Sequence, residues 1–539
     1  MPSQDGGELD EEKQCGVTAL LIRETLSHVS GVPEDAIKPS STIYHLGLDS
    51  ISAIKVSVLL RKKGVTLRPR DLVTASSIRE LANMATTAEE VVAEAAQPSG
   101  TWVPPSDVDV DGLIVECGIS ASDVEIILPA TPLQVYMLTA WSKSGGSIFY
   151  PEFCYRIEGV VEEADVYRAW DRLVATTPIL RTRLIATGSK DLPFVQVVAS
   201  ADAVQSKRVT QPLVRICVAK DQSDGAITFR LTIHHALYDG VSLPALVAQL
   251  AGLLNEGEAT AAEADNAPWA SFAVRPMTAS SRDARREFWT EYLRGASPDV
   301  APRPVVSSIS DRTAFFDGAA IADSSELQLL AAQHGIGLQA LFLAAYARSI
   351  AGPSTSSILF GVYLANRSGE ADAPSTLFPT LNLVPLKVVG LSPDVDLVAV
   401  AKTIQQDIHA VSSHGRADVG LWEIYEWTGV TVDAFINFLS LPDEGPSSST
   451  KNITVTPVKD GHVTGGSSDS SALLGEPWLQ RNAVADAYPI SIDVEAALQA
   501  NGGLAIGVFG PREILSEDRA RAMAGSVATL LRGAAAEAQ

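Results

Sequence analysis

Ile233-His234-His235-Ala236-Leu237-Tyr238-Asp239-Gly240-Val241-Ser242 marks a change in hydrophobic periodicity. Upstream, Thr228-Phe229-Arg230-Leu231-Thr232-Ile233 alternates and is rich in β-branched and aromatic residues, which predicts a strand. Downstream, Leu243, Leu246, Val247, Leu250 and Leu253-Leu254 recur at helical spacing, with Ser242 placed as an N-cap and Pro244 tolerated in the first turn. The paired histidines are therefore expected on a strand-to-helix loop. Adjacent strand residues point to opposite faces, so one histidine should be held in a packed layer while the other faces a cleft. Histidine titrates near neutrality and suits a base that takes a proton from an amine or hydroxyl. Asp239 is expected to pair with a buried cation and fix the loop, and Gly240 leaves room for close approach. Taken alone, such a pair is more often an ordinary loop or core feature. No Cys or carboxylate cluster surrounds it in sequence, so no metal is expected.

The spacing of two histidines, three residues, Asp, Gly, one residue and Ser resembles the active-site motif of nonribosomal peptide synthetase condensation domains, a branch of the chloramphenicol-acetyltransferase-like acyltransferases. Other stretches resemble that family in the same order. Leu128-Pro129-Ala130-Thr131-Pro132-Leu133-Gln134 is similar to its opening motif and Pro178-Ile179-Leu180-Arg181-Thr182-Arg183-Leu184 to its leucine-arginine-threonine motif. Pro268-Trp269-Ala270-Ser271-Phe272-Ala273 and the helix 281–293 resemble the next landmark and the crossing into a second lobe. Gly361 to Arg367 and Leu381 to Leu386 resemble the floor-loop region, and His414-Gly415-Arg416 to Trp422 resembles the motif after it, with an altered core. The resemblance implies two related α/β lobes set in a V with the histidine loop at the cleft. His235 is then the cleft-facing base and His234 the structural partner. Arg181 is expected to pair with Asp239, with Arg183 the competing choice. Asn382 and Arg367 are cleft candidates, each of which could equally serve in a turn.

Composition sets the outer bounds. A chain of 539 residues, 46% hydrophobic, can bury several cores. Its formal charge of −23 disfavours nucleic acid or an anionic membrane as partner, since both need a positive patch. No apolar run reaches membrane-spanning length, and the acidic start MPSQDGGELDEEKQ is unlike a signal peptide. Cys15, Cys117, Cys154 and Cys217 show no paired spacing, which suggests free thiols in a reducing cytoplasm.

Before the histidine region, helices are expected over 16–30, from Ile51 to Lys63 and over 77–85, a helical bundle of about 85 residues. Ser50 falls at the N-terminus of the second helix, where free N–H groups and the helix dipole favour an anion; a plain N-cap is the competing reading. Leu46-Gly47-Leu48-Asp49-Ser50-Ile51 resembles the carrier-protein motif whose serine receives a 4′-phosphopantetheine arm, with Leu48 where a second Gly is usual. The Ala/Glu tract, Pro104-Pro105 and the acidic run 107–111 read as a linker. The expected fold is thus an all-α four-helix carrier bundle over 1–88, a linker over 89–119, and an α/β condensation domain over 120–539, with lobes at about 120–300 and 301–539.

The resemblance implies transfer of a carrier-bound acyl or peptidyl thioester to an amine, and it implies partners: a phosphopantetheinyl transferase, an upstream adenylation domain and a downstream carrier. Leu243 after Ser242 disfavours an epimerase of the same fold, and intact histidines disfavour a heterocyclising relative or a non-catalytic docking module. An ester-forming or macrocyclising version would use the same base and cleft, so it stays open. The late motifs resemble fungal synthetases, including those for hydroxamate siderophores.

Overall fold

The computed structural model describes residues 5–537 apart from 49, 88–101, 117, 147, 207–212, 257–268, 278, 297–311, 353–354, 356, 366, 368–375, 393, 433, 441–452, 459–483, 485–491 and 500. The Ser/Gly-rich stretches expected to be mobile, 445–452 and 465–472, lie outside the described residues.

The N-terminal unit is helical as expected. Helices Asp5–Ser30, Ser50–Lys62, Pro69–Thr74 and Ile78–Met84 enclose Ile22, Leu26, Val56, Leu60, Leu72, Ile78 and Leu81. Periodicity alone did not mark Pro69–Thr74, which is under two turns long, too short to show a repeat. Strands β1 (Val65–Thr66) and β2 (Thr86–Thr87) pair antiparallel at the end of the bundle.

The predicted linker is folded in its second half. Residues 110–116 form a helix whose Val110, Leu113 and Ile114, together with Ile119, are buried against Ile185, Val195, Val197 and Ala199. The acidic run 107–111 conceals this, because the apolar residues that decide burial are interleaved with Asp109 and Asp111.

Six strands follow: β3 (Val124–Pro129), β4 (Glu152–Glu158), β5 (Thr182–Ala186), β6 (Phe194–Ala199), β7 (Val214–Lys220) and β8 (Ile227–Ile233). β3, β6 and β5 make one three-stranded sheet, in the order β3-β6-β5. β4 and β7 flank β8, whose alternating burial matches the alternation read from its sequence. The remaining strands are β9 (Arg312–Ile321), β10 (Ser357–Leu364), β11 (Asn382–Val389), β12 (Ala434–Ser440), β13 (Thr454–Pro457), β14 (Ile492–Leu498) and β15 (Leu504–Pro511). They form a six-stranded sheet in the order β11-β10-β12-β14-β15-β9, from which β13 is missing. Instead β13 crosses over and pairs antiparallel with β4. Asn255 anchors the crossing: its side chain donates to the Ile453 carbonyl (2.9 Å) and accepts from the Ile453 N–H (3.1 Å). The division at residue 301 is therefore not clean, since a segment from the second lobe completes the sheet of the first.

Side-chain alternation sorts the six-stranded sheet into two faces. Phe360 meets Tyr346 (ring centroids 5.4 Å) and Phe438 meets Phe342 (5.9 Å), so the buried helix Leu338–Ile350 covers one face. Gly361, Tyr363 and Phe435 point to the other, where Phe435 meets Tyr136 of the N-lobe helix Pro132–Lys143 edge-on at 5.3 Å.

Candidate active site

The histidines sit where sequence placed them, between β8 and the helix Ser242–Glu256, with His235–Leu237 forming a 3₁₀ turn. The helix start is a reciprocal cap. Asp239 Oδ1 accepts from the Ser242 N–H (2.8 Å), and Ser242 Oγ accepts from the Asp239 N–H (2.8 Å). Asp239, three residues ahead of Ser242, is thus the capping side chain.

His234 is fully buried. Its Nδ1 accepts from the Ala236 N–H at 3.1 Å, so the neutral ring carries its proton on Nε2. Among the described residues Nε2 has no hydrogen-bond partner, and the ring packs edge-on against Trp141 at 4.8 Å. Burial, with the neighbouring His235 adding to it, pushes its pKa down to about 3. His234 is a wedge in the core.

His235 is half-buried and has the opposite tautomer. Its Nδ1 lies 3.0 Å from the Tyr238 carbonyl oxygen, which can only accept, so Nδ1 carries the proton and Nε2 presents a lone pair. The Tyr238 ring stacks on the imidazole (4.4 Å, 7°), and Phe149 meets it edge-on at 6.0 Å. Burial lowers the His235 pKa, against the opposing pull of backbone hydrogen bonds and of Asp239. Phe149 also accepts the His235 N–H through its carbonyl at 2.7 Å. It adopts φ 60°, a left-handed conformation costly for an aromatic residue and frequent where a site stores strain. No sequence signal marks Phe149.

The expected pairing of Arg181 with Asp239 is corrected. Asp239 is held by Arg367: one guanidinium nitrogen reaches both carboxylate oxygens at 2.8 Å, and the Thr380 N–H adds a bond at 3.0 Å. Burial would raise this carboxyl, but Arg367 and the backbone donors of Ser242 and Thr380 outweigh it and hold the pKa below the ordinary value. Arg181 is buried elsewhere, donating to the Val174 and Ala199 carbonyls and pairing with Glu125 at 2.6 Å. Both arginines follow hydrophobic runs in sequence, and only the approach of the two lobes decides which one reaches Asp239. Arg367 is therefore not an open cleft residue but a clamp from the C-lobe onto the histidine loop, 1% exposed. Asn382, the other cleft candidate, is also buried. Its amide donates to the Ala417 and Val419 carbonyls and pins that turn. Gly240 is exposed at the loop's apex.

Gln134 closes the loop from the other side. Its amide nitrogen donates to the Ala236 carbonyl (3.0 Å) and to Gln196 Oε1 (3.1 Å), while Gln196 donates to the Pro129 carbonyl (2.8 Å). The C-lobe face opposite carries Tyr363, Asn437 and Glu495, the last two register partners on β12 and β14. Burial raises the Glu495 carboxyl despite a hydrogen bond from Asn437, and its charge is felt by Tyr238. No sequence signal marks Glu495 either, because an isolated acid in a β pattern looks like a solvent-facing position.

Ser50 opens the helix Ser50–Lys62, three residues after Gly47 ends the turn Tyr44–Leu46 at φ 72°. The unpaired N–H groups and dipole at the start of a helix favour an anion, and a phosphodiester is one.

Residues 21–85 match the family described as phosphopantetheine attachment site, and residues 209–439 match the condensation domain family. Among curated proteins the chain is 42% identical over 539 residues to Nonribosomal peptide synthetase 2 of Gibberella zeae, covering 97% of this chain and 11% of that protein. It is 42% identical to Nonribosomal peptide synthetase SIDC of Beauveria bassiana, over 96% and 11% of the two chains. It is 25% identical to the hydroxamate-type ferrichrome siderophore peptide synthetase of Schizosaccharomyces pombe, over 96% and 10%. The chain thus spans about a tenth of the length of the curated relatives it matches. Among solved structures, the condensation domain of the monacolin K polyketide synthase MokA aligns with TM-score 0.56 at 15% identity, over 77% of this chain and 98% of that one. The first condensation domain of the calcium-dependent antibiotic synthetase aligns with TM-score 0.54 at 15% identity, over 77% and 97%. At such identity these two speak for the fold alone.

Proposed function

The chain belongs to the nonribosomal peptide synthetases, as a carrier followed by a condensation domain, and from that premise we propose that it joins an acyl or peptidyl group held as a thioester to an amine, forming a peptide bond. The carrier occupies about 1–88, and the condensation domain begins near residue 102, because 110–119 packs on its first sheet. Ser50 is the attachment point, and the 4′-phosphopantetheine arm supplies the activated thioester carbonyl.

The observation that carries the reading is the His235 tautomer. With Nδ1–H committed to the Tyr238 carbonyl, Nε2 is the acceptor for the proton of the attacking amine. The amine nitrogen bonds to the thioester carbon, the C–S bond breaks, and the thiolate leaves with a proton returned from His235. Because the thioester is already reactive, holding the amine in place contributes alongside the base. His234 and the Asp239–Arg367 pair position His235 without touching the reacting atoms. We take the rest of the assembly from the family: a phosphopantetheinyl transferase, an adenylation domain to load the carrier, and a downstream carrier bringing the amine, in the cytoplasm. The relatives named above favour a fungal siderophore synthetase as the parent.

The test has two stages. Incubation with a transferase and coenzyme A should add the mass of one phosphopantetheinyl group, and Ser50→Ala should abolish the gain; a gain in the mutant sinks the attachment site. On acyl-loaded carrier with an amine acceptor, His235→Ala should slow product formation by at least about 10²-fold, the lower end for general-base catalysis, with loading and folding unchanged. A product formed at the parent rate overturns the base.

A further inference from the structure

Strand register fixes which side chains of the C-lobe face His235. β10, β12 and β14 are neighbours in the middle of the six-stranded sheet, and Phe435 of β12 turns toward the N-lobe, where it meets Tyr136. Gly361 pairs with Phe435 and Phe435 with Asp493, so two residues further along these parallel strands Tyr363, Asn437 and Glu495 lie level on the same face. Two connections tie this row to the histidine loop. Tyr136, hydrogen-bonded to Tyr363, meets Phe149 edge-on at 5.9 Å, and Phe149 meets His235. Arg367, four residues after Tyr363, clamps Asp239. Side chains in the middle of a sheet that a second lobe covers are expected to be sealed, as Phe435 is. Tyr363, Asn437 and Glu495 are only half-buried, and so is His235. The gap between the lobes therefore reaches from His235 to this row.

Glu495 is the acid of the row. Asn437 donates to it, and among the described residues no Lys or Arg pairs with it. Its charge is felt at Tyr363 and at Tyr238, whose ring stacks on His235, while Asp493, level with Phe435, adds a second negative charge felt at Tyr363. The other titratable groups facing it, Tyr136, Tyr238 and Tyr363, are neutral phenols. A half-buried carboxylate without a cation is costly, and burial raises its pKa accordingly. A cation entering the cleft would offset that cost, and the reaction brings one, because an amine acceptor is largely an ammonium near neutral pH. We propose that Glu495, aimed by Asn437, receives the acceptor's ammonium across the cleft from His235, so that the site selects an amine over a hydroxyl nucleophile. This deepens the peptide-bond reading and rests on it. In turnover the ammonium gives one proton to the Glu495 carboxylate and becomes the neutral nucleophile. Its second proton passes to His235 as the C–N bond forms and on to the thiolate as the C–S bond breaks, and Glu495 returns its own proton to water. Burial brings the carboxyl nearer the amine's range, which suits it to that exchange.

Binding can be tested without turnover. In a Ser50→Ala chain, which carries no donor, an aminoacyl-pantetheine analogue with a thioether in place of the thioester should bind at least about 10-fold more tightly than its counterpart with a hydroxyl in place of the ammonium, the scale of one charge-assisted hydrogen bond. The isosteric Glu495→Gln should remove that preference. It changes one charge in a net of −23, so the loss reports the local carboxylate and not the field of the whole protein. Equal affinity for the two analogues before substitution, no saturable binding of the ammonium form, or a preference that survives Glu495→Gln overturns the proposal. The first comparison needs no variant of Glu495 and stands whether or not Glu495→Gln folds. Because His235 takes no part in this binding, failure of the base would leave the result in place. In acyl-loaded chains with Ser50 intact, Glu495→Gln should lower kcat/KM at least about 10-fold for aminoacyl-pantetheine and far less for hydroxylamine, a nucleophile that is already neutral. Equal losses with both nucleophiles would make Glu495 a structural residue and sink its role toward the ammonium.

Discussion

Buried polar side chains around the histidine loop divide into those that hold and one that acts. The Asp239–Arg367 pair is nearly solvent-free, so removing either partner strands a charge. Arg367→Ala or Asp239→Ala should cost about 3–5 kcal/mol in chemical denaturation, and the double mutant should lose less than the sum of the two. Arg181→Ala should add independently to Asp239→Ala, since Arg181 is tied to Glu125 and two carbonyls. A strong coupling of Arg181 with Asp239 would contradict the geometry. Acid sensitivity follows from His234. The unfolded side chain titrates near 6.5, whereas the folded one stays neutral to about 3, so the unfolded chain binds the extra proton in between. Stability from this residue is whole above 6.5 and is lost progressively as pH falls toward 3. His235, whose pKa burial also lowers, acts in the same direction. Equilibrium unfolding from pH 7 to 4 should therefore show a slope that His234→Phe flattens. The same lowering keeps His235 unprotonated below 6.5, so the acid limb of the rate profile should lie under that value.

At the scale of elements, the loop is clamped from both lobes, and the N-lobe clamp is a chain of amides. Gln134 heads the helix Pro132–Lys143 and completes a capping box with Thr131, and its remaining donors reach Ala236 and Gln196. Gln134→Ala would leave the Ala236 carbonyl and Gln196 without these partners in a dry site, at a cost of about 1–3 kcal/mol. We expect its turnover to drop while Ser50 loading stays normal, as measured by mass shift and product release in one preparation. This much was legible: Thr131 to Gln134 reads as a helix start, and β8, the 3₁₀ turn and the following helix fall where periodicity changes. The crossing of β13 was not legible. A four-residue strand has no periodicity to read, and its partner β4 lies some 300 residues earlier.

Across the whole molecule, domain limits are set by what is buried. A chain beginning at residue 102 should retain the melting behaviour of the condensation domain. One beginning at 120 removes Val110, Leu113, Ile114 and Ile119 from their contacts with β5 and β6, and at about 1.5–3 kcal/mol for each large side chain it should melt markedly lower or aggregate. Equal melting temperatures for the two would show that this helix is only an appendage. The sequence by itself determined the two domains, the serine at a helix start and the histidine loop between strand and helix, because each depends on neighbours within a few residues, where propensity and spacing act. It also decided which residue types could carry the chemistry. Only the tertiary structure decided that Arg367 rather than Arg181 meets Asp239, that Phe149 and Glu495 border the site, and that Tyr44 of the carrier meets His409. Those contacts join residues more than eighty positions apart. The approach of surfaces selects them, and no local pattern in the chain encodes which buried charge will find which partner.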